Sequence, residues 1–428
     1  MTLGELITLQ RGHDLTDKER RHGRVPVMGA AGLNGYHDTA RFKGPGIVMG
    51  RSGGSFGKVH FSEEDFWPHN TALYVTDFKG NDPRFVFYLL RSFDFSRFNS
   101  GSAQPSLNRN YVYPMSIRVP DPIEQHRIAS VLSALDDKIA LNTRINAELE
   151  ALAKLIYDYW FVQFDFPISA AQAKRMGKPR LAGKPYKSSG GAMVHNQELK
   201  REVPEGWEVT ELGNHLTIER GVSYTSADLA DSGTAMINLD SFTLHGRYKP
   251  TGLKYVNRPI KETKLLEPGD LLIATTDVTR NADIISRSFI LPDVFDQKPT
   301  YSTDIARINV GPKINKYVLD MLLNTDHFHR YIKGFANGTL VLHLNMSGLV
   351  WYRAELAPLD LQTRYQEIKE PIERKKALIM KENQELTALR DWLLPLLMNG
   401  QVVVGEAEEK VGMAMAAEPA GRYGKNIG

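Results

Sequence analysis

Two long stretches of the chain carry apolar residues at alternating steps of three and four, which places them along one stripe of a helix. The first stripe follows Pro120-Asp121-Pro122 and runs through Leu132, Leu135, Ile139, Asn142, Asn146, Leu149, Leu152, Ile156 and Tyr159. The second runs through Ile368, Ile372, Ile379, Asn383, Leu386, Leu389, Leu393 and Leu396. Such seven-residue periodicity is typical of coiled coils. The pattern predicts two long helices, over residues 120–164 and 359–400.

We expect the two helices to pair with each other along these stripes. Asn146 and Asn383 fall at matching positions, where a buried amide can fix the register of paired helices. Equal length and equal register in both copies are what a shared seam requires. Lys375 and Lys376 weaken the second stripe, and this leaves open the alternative that each helix packs only on its own neighbouring domain.

The remaining chain shows the short apolar runs of β-strands, interrupted by short helical patterns. GIVMG (46–50), ALYVT (72–76) and DLLIATT (270–276) are bounded by Gly, Pro, Asn or Asp, whereas FVFYLLRS (85–92) and YVLDMLLN (317–324) indicate helices. Residues 1–119 and 204–358 are therefore predicted to be mixed α/β domains. Residues 165–203 are predicted to be a basic linker or arm, and 401–428, rich in Ala, Glu and Gly, a disordered tail.

Both parts of this pattern occur twice. LGELITLQRG (3–12) aligns with LGNHLTIERG (212–221) with five of ten residues identical, and NAELEAL (146–152) aligns with NQELTAL (383–389) with five of seven identical. The offset between the copies grows from 209 to 237 residues within the α/β part and then stays constant through the helix. The chain is therefore an internal duplication in which the α/β domain tolerates insertions and the helix keeps its length.

Composition narrows the class of protein. The chain has 428 residues, 42% hydrophobic residues, no cysteine and a net charge of +3. This excludes disulfides and thiolate metal sites, fits a cytoplasmic protein, and requires any nucleic-acid surface to come from local clustering of charge. No apolar run approaches the ~18 residues that span a bilayer, so no membrane association is expected.

The stretch GRSGGSFGKV (50–59) resembles a phosphate-binding loop but lacks its diagnostic residues. Ser52 stands where the first glycine of a Walker loop should be, and Val59 stands where the hydroxyl residue should be. Two interpretations remain: a tight turn that lets backbone amides, Arg51, Ser52 and Lys58 approach a phosphate backbone, or a hairpin turn that contacts nothing.

No pattern supports a catalytic, cofactor or metal site. Asp121 with Asp136, Asp137 and Lys138 matches a loose nuclease pattern, but these carboxylates fall along the first helix, about four turns apart. No Pro-Pro occurs, which argues against an amino-methyltransferase motif. We therefore predict a binding protein.

Polar, glycine-bearing loops precede each long helix and contain residues that suit base edges and phosphates. Further candidates lie at the ends of the first strands and in the loops after GIVMG and DLLIA. Together, the candidate DNA-binding residues are Arg11, Arg51, Ser52, Lys58, Ser102, Gln104, Asn108, Arg109, Arg220, Thr275, Thr276, Arg280, Asn337, Thr339, His343 and Asn345. Composition alone leaves DNA binding and protein binding both open.

Taken in order, the motifs resemble those of the specificity (S) subunits of type I restriction–modification systems, over residues 1–404. They are LGELITLQRG and LGNHLTIERG, GRSGGSFGKV with HNTALYV (69–75), PDPIEQHRIASVL (120–132), DYWFVQFDFP (158–167) and EVPEGWEVTELG (202–213). The second copy departs from the first: it has TTDVTR in place of the glycine-rich turn and DLQTRYQEI (360–368) in place of the fuller helix entry.

The resemblance implies an α+β protein in which two similar α/β target recognition domains are separated by two long antiparallel helices that form a coiled-coil spacer, with pseudo-twofold symmetry. Each domain is then expected to read one half of a bipartite site in double-stranded DNA. Two modification subunits are expected to dock on the helices and two restriction subunits to complete a defence against foreign DNA. S-adenosylmethionine, ATP and magnesium are expected on those partners, with no cofactor on this chain. The alternatives are a coiled-coil scaffold that binds only proteins, and an enzyme fused to its own recognition domains.

Overall fold

The structure is a computed structural model and describes residues 1–99, 106–279 and 281–416. The candidates Ser102, Gln104 and Arg280, and residues 417–428 of the predicted tail, lie outside the described residues. The chain divides into two compact units. Unit 1 comprises Met1–Leu141 with Glu382–Gly428, and unit 2 comprises Asn142–Lys381.

The helices and strands are interspersed along the chain. The helices are α1 (Leu3–Leu6), α2 (Pro83–Arg91), α3 (Arg109–Val112), α4 (Pro122–Tyr157), α5 (Ala170–Arg175), α6 (Lys316–Leu323), α7 (Asp326–Lys333), α8 (Ser347–Trp351), α9 (Leu359–Met398) and α10 (Val404–Ala416). The strands of unit 1 are β1 (Thr8–Arg11), β2 (Val25–Gly29), β3 (Gly32–His37), β4 (Gly46–Gly50), β5 (Val59–Ser62), β6 (Trp67–Pro68) and β7 (Ala72–Asp77). Those of unit 2 are β8 (Met193–Asn196), β9 (Arg201–Pro204), β10 (Glu208–Glu211), β11 (Leu216–Arg220), β12 (Leu229–Ala230), β13 (Thr234–Ile237), β14 (Lys254–Val256), β15 (Leu271–Ala274), β16 (Thr276–Asp277), β17 (Ser288–Ile290), β18 (Thr300–Tyr301), β19 (Ile305–Val310), β20 (Ala336–Asn337), β21 (Leu342–Leu344) and β22 (Arg353–Leu356).

Each unit contains a four-stranded antiparallel sheet of the same topology. The strand order is β1-β7-β4-β5 in unit 1 and β11-β19-β15-β17 in unit 2. The third strand of each sheet, β4 or β15, is an apolar run buried along its whole length. A further sheet in each unit includes one parallel pair, β2 with β6 or β13 with β18. The duplication read from the sequence is therefore a duplication of topology.

The repeated motif at the start of each copy has the same structural role in both units. Leu3 and Leu212 are fully buried. The amide of Leu3 donates to the carbonyl of Met115, and the amide of Leu212 donates to the carbonyl of Tyr352, both at 2.9 Å. The motif thus joins the beginning of each α/β domain to its end, just before the long helix that follows.

The end of the chain does not follow the disorder predicted for residues 401–428. Residues 404–416 form α10, and Val404, Ala407 and Val411 pack into the apolar core of unit 1. The steps of three and four between these small apolar residues give the helix one buried face. The prediction was wrong there because average composition hid the periodicity.

The linker predicted over residues 165–203 is also wrong, since this segment is folded and anchored in unit 2. Phe166 stacks on Tyr186, with ring centroids 4.6 Å apart, and on Trp207 at 5.8 Å. Ile168 and Ala173 are buried in the same core. A few well-spaced apolar residues among many polar ones are sufficient to fold the segment onto its domain.

The two long helices contact each other in an antiparallel sense within each unit. In unit 1, Asn383 Nδ2 donates to the Ile139 carbonyl at 3.5 Å. In unit 2, Asn146 Nδ2 donates to the Lys376 carbonyl at 3.5 Å, and the Tyr365 hydroxyl donates to the Ala153 carbonyl at 3.1 Å. After α4 the chain continues as a π-helical turn, Asp158–Val162. In the described part of the chain, no helix is long and apolar enough to cross a membrane.

Most predicted seam residues are at least partly buried. Leu132, Leu135, Ile372, Ile379, Leu386 and Leu393 are buried, and Ile139, Asn146, Leu149, Ile156, Asn383 and Leu389 are partly buried. Leu152 is not at the seam, because 48% of it is exposed. The adjacent Ala153 is buried in its place, since the bulky, fully buried Tyr365 packs there and leaves room only for a small side chain.

Of the two lysines that weaken the second stripe in sequence, Lys376 belongs to a buried ion network in unit 2, together with Lys369, whereas Lys375 is exposed. Lys369 is 1% exposed and its Nζ lies 2.6 Å from Glu373 and 3.4 Å from Glu150. Lys376 forms ion pairs with Glu150 and with Glu373. The charged positions thus carry contacts between α4 and α9 and do not interrupt the pairing.

Candidate nucleic-acid interface

A groove of about 900 Å³ opens at one end of the four-stranded sheet of unit 1. Because β1 and β4 both pair antiparallel with β7, they run in the same direction and end at the same side of the sheet. Arg11 ends β1, and Arg51 directly follows β4. Residues 106–109 form another wall, held there because the Leu107 amide donates to the Arg51 carbonyl at 2.7 Å.

Four predicted DNA-binding residues line this groove: Arg11, Arg51, Asn108 and Arg109. Arg109 Nη1 donates to the Leu9 carbonyl at 2.9 Å, so part of this guanidinium is used by the fold. Among the described residues, Arg11 and Arg51 have no carboxylate within ion-pairing distance, and the buried Nε of Arg51 has no hydrogen-bond partner. Two guanidinium groups are thus available for phosphate oxygens or the acceptor edge of a guanine.

Two further residues of the groove, His13 and Asp14, were not among the candidates. Burial, together with the charge of Arg41, lowers the pKa of His13. The imidazole is therefore neutral near pH 7 and can both donate and accept a hydrogen bond. Their position directly after the LQRG motif, where β1 ends, is the sequence signal that could have identified them.

The glycine-rich stretch is a closed turn between β4 and β5. The Gly57 amide donates to the Gly50 carbonyl, and the Gly50 amide to the Lys58 carbonyl, both at 2.8 Å. These amides are used inside the turn, which favours the hairpin interpretation over a phosphate cradle. Ser52 pairs with Ser106 through the backbone, whereas Lys58 lines a separate pocket of about 660 Å³ and does not join Arg51.

In unit 2 the structure brings three candidates into one row. Thr276 pairs with His343 between β16 and β21, and His343 pairs with Asn337 between β21 and β20. Thr276 Oγ1 lies 3.4 Å from His343 Nδ1. Asn337, His343 and the nearby Thr339 are exposed, so this small sheet presents an amide, an imidazole and a hydroxyl together.

Thr275 and Thr276 do not belong to the exposed part of this surface, because they are 3% and 4% exposed. The Leu344 amide donates to the Thr275 carbonyl at 2.8 Å, which covers this strand with β21. The sequence did not indicate this burial, because it arises from pairing with β21, which lies far along the chain.

The tip of the β20–β21 hairpin carries apolar residues that were not predicted as part of the surface. Leu340 is 88% exposed and Val341 41% exposed. They follow Gly338 and Thr339, and the candidates predicted in this loop are all polar side chains. Exposed apolar side chains beside polar ones on a hairpin can contact sugars or thymine methyl groups.

Arg220, which ends β11, occupies the place that Arg11 has at the end of β1 and is likewise exposed. The glycine after each arginine is required by packing. A Cβ on Gly12 would overlap the backbone carbonyl of His69, and one on Gly221 would overlap that of Tyr301. The Arg-Gly pair therefore marks the same point of the fold in both copies.

Leu107-Asn108 and Leu344-Asn345 occur in the loops that precede the two long helices, and the asparagine of each pair has a structural role. Asn108 Oδ1 accepts from the Asn110 amide at the start of α3, and Asn345 Oδ1 accepts from the Ser347 amide at the start of α8, both at 3.0 Å. Such contacts satisfy amides at the start of a helix. Both asparagines remain exposed, and a base contact by either stays a prediction.

The carboxylates of the nuclease-like pattern are used by the fold of unit 1. Asp121 accepts from the first amides of α4, at 3.0 Å from Ile123 and Glu124. Asp136 accepts from Tyr88 at 2.7 Å and from Arg390 at 2.6 Å. Among residues 1–99, 106–279 and 281–416, no three His, Asp or Glu side chains are grouped as metal ligands would be.

The sequence is similar to a known protein family and to several known proteins. Residues 1–151 match the family model for the type I restriction modification DNA specificity domain. The chain is 24% identical over 343 residues to the MjaIX specificity subunit of Methanocaldococcus jannaschii, with 75% of this chain and 69% of that protein covered. It is 25% identical over 378 residues to the HindI specificity subunit of Haemophilus influenzae, with 75% and 77% covered.

A solved structure has the same fold. The S subunit of a type I restriction–modification system from M. genitalium superposes with a TM-score of 0.55 at 16% identity, with 93% of this chain and 95% of that one covered. The match therefore extends well beyond the domain covered by the family model. Residues 1–151 are thus similar to the type I restriction modification DNA specificity domain, and the chain as a whole is similar to specificity (S) subunits of type I restriction–modification systems, the family that its motifs resemble.

Proposed function

We propose that the chain determines which DNA sequence a type I restriction–modification complex recognises and that it catalyses no reaction itself. The α/β domains of units 1 and 2 act as two target recognition domains, each reading one half of a bipartite site in double-stranded DNA. The paired α4 and α9 act as the coiled-coil spacer between them. Modification subunits bind the helices and bring S-adenosylmethionine, and restriction subunits bring ATP-dependent cleavage.

The observation that carries this proposal is the repeated sheet with an exposed polar surface at equivalent ends of its strands. In unit 1, Arg11 ends β1 and Arg51 follows β4. In unit 2, Arg220 ends the corresponding strand β11, and the exposed residues of β20 and β21 lie beside β16, which follows β15. Loops at the ends of a rigid sheet can vary in length and sequence without disturbing the core. Two domains with the same topology and different surface residues suit a DNA target whose two halves differ in sequence.

The first experiment assembles the full chain with its modification subunit and maps methylated positions on DNA supplied with S-adenosylmethionine. We expect adenine methylation at one bipartite sequence with a fixed gap. Methylation without sequence preference, or its absence in an assembled complex, would support the scaffold alternative.

The second experiment tests whether each unit reads its own half. The double variant R11Q/R51Q removes two cations from the groove of unit 1, and we expect it to change or weaken the base preference in one half only. R118Q is the matched control, since Arg118 is an exposed arginine of the same unit outside the groove. An equal loss of preference in both halves would contradict modular reading.

A further inference from the structure

The segment 167–190 of unit 2, here called the basic lobe, has the most one-sided charge in the chain. It contains six basic residues and no acidic residue: Lys174, Arg175, Lys178, Arg180, Lys184 and Lys187. All six are exposed. Among the described residues, none of them forms an ion pair. The lobe therefore presents uncompensated positive charge to solvent.

The fold holds these charges in a defined arrangement. The Ile168 amide donates to the Lys184 carbonyl at 2.9 Å, and the Gly183 amide donates to the Ile168 carbonyl at 2.8 Å, which closes the lobe on itself. Ser169 caps α5, whose last turn carries Lys174 and Arg175. An ordered arrangement loses little conformational entropy when it binds a partner.

The neighbouring contacts attach the lobe firmly to unit 2. Arg364 Nη1, on α9, donates to the Pro167 carbonyl at 3.0 Å. The stack of Phe166 on Tyr186 and Trp207 anchors the start of the lobe in the core of the unit. The charges are therefore fixed on the recognition chain itself.

The chemistry of this surface favours a polyanion over a protein partner. Protein interfaces have an apolar, often aromatic centre and are depleted in lysine. In the lobe no large apolar side chain is exposed; the nearest in sequence are Val162 before it and Val194 after it. Several exposed lysines and arginines without an apolar centre suit contacts with phosphate groups.

We propose that the basic lobe binds the sugar–phosphate backbone of duplex DNA, independently of sequence, as a contact separate from the base-reading surfaces. The inference rests on the proposed function, because it assumes that the chain lies on DNA. The lobe adds affinity and a steep salt dependence, and it leaves the choice of target to the recognition surfaces.

The test uses the full chain assembled with its modification subunit. The variant K174Q/R175Q/K178Q removes three exposed cations from the lobe. The control variant K261Q/K298Q/K313Q removes three exposed cations of unit 2 that lie outside the lobe and outside α4 and α9. Dissociation constants are measured from 50 to 200 mM salt for one duplex with the mapped target and one without it.

We expect the lobe variant to have a shallower slope of log affinity against log salt, by about 0.9 for each phosphate that the removed cations had neutralised. The ratio of affinities between 50 and 200 mM salt then falls about 3.5-fold for each such phosphate. The change is the same for both duplexes, so the preference for the target stays constant. The control keeps the slope of the unmodified complex.

Three results would overturn the inference. The first is an unchanged slope, or an equal change in the control. The second is a changed preference for the target, which would make the lobe a base reader. The third is dissociation of the modification subunit from the complex, which would assign the lobe to an acidic protein surface. A wild-type complex that prefers neither duplex would instead refute the proposed function.

Discussion

Replacing Glu150 by glutamine removes one of two carboxylates from the buried ion network of unit 2. Glu150 is 13% exposed and contacts both Lys369 and Lys376. In the variant, Glu373 is the one carboxylate of the described residues that remains within ion-pairing distance of the two ammonium groups. A buried positive charge is then left without compensation, and we expect a large decrease in stability.

Two independent arguments give a similar magnitude. Removal of one partner from a buried ion pair typically costs about 3–5 kcal/mol. Burial alone would raise the pKa of Glu150, but the charges of Lys369 and Lys376 outweigh it and lower the pKa from 4.5 to about 2. A difference of this size corresponds to about 3 kcal/mol of folding free energy. Because the folded pKa is the lower one, this contribution is present above pH 4.5 and is lost as the pH falls towards 2.

The assay is urea unfolding followed by tryptophan fluorescence, which Trp160 and Trp207 report from the core of unit 2. E148Q is the matched control on the same helix, because Glu148 is 73% exposed and its pair with Arg144 is long, at 3.9 Å. We expect E148Q to cost less than about 0.5 kcal/mol. The difference between wild type and E150Q should shrink as the pH is lowered from about 5 to about 2. Equal stability of E150Q and E148Q at neutral pH, or a difference that does not change with pH, would refute this reasoning.

Three further predictions concern single side chains. N345A should lower the free energy of unfolding by about 1 kcal/mol because a helix-start amide loses its acceptor, whereas N345D should keep it; a stable N345A would show that the contact is unimportant. Burial raises the pKa of Asp320 from 3.8 to about 7, so the contribution of Asp320 to the free energy of unfolding is greatest below the unfolded pKa and declines as the pH rises through the folded pKa. D320N should flatten this decline in urea unfolding, and an unchanged pH profile would contradict the assignment. G57A should lower the free energy of unfolding by about 1 kcal/mol or more, measured by thermal unfolding, because Gly57 has φ +73° and a Cβ there would press on Phe95. The control G54A should be neutral because that position is open, and equal costs of the two variants would argue against the turn geometry.

The sequence predicts best what depends on local periodicity and on internal repetition. The stripe from Leu132 to Ile156 is sufficient to predict a long helix, and the duplicated Leu-Gly and Arg-Gly motifs indicate two domains of one topology. Arg11, Arg51, Asn108 and Arg109 could be proposed together because they lie in repeated or turn-forming stretches. The common groove that joins them depends on strand order, which no local pattern contains.

The errors arise where distant residues decide the structure. Thr276 is buried because β16 pairs with β21, which lies far along the chain. Leu152 has the right spacing for the seam, but Tyr365 of α9 packs at this point, so the smaller Ala153 is buried there in place of Leu152. The basic lobe and α10 have the composition of flexible segments, yet each has a few apolar residues at positions that a neighbouring core can bury. Lys376 suggested a weak seam, and its partner Glu150 could not be assigned before the register of the helices was known.

The central claim, that the paired helices set the spacing between two base-reading surfaces, is tested most directly by shortening both helices together. Deleting residues 139–145 and 377–383 removes seven residues from each helix and keeps Asn146 opposite Lys376. A heptad corresponds to about 10 Å of helix with a rotation of only ~20°. Methylation mapping of the assembled complex should then show both half-site sequences unchanged and the gap between them shorter by about three base pairs. Methylation of the original sites with the original gap would contradict the account.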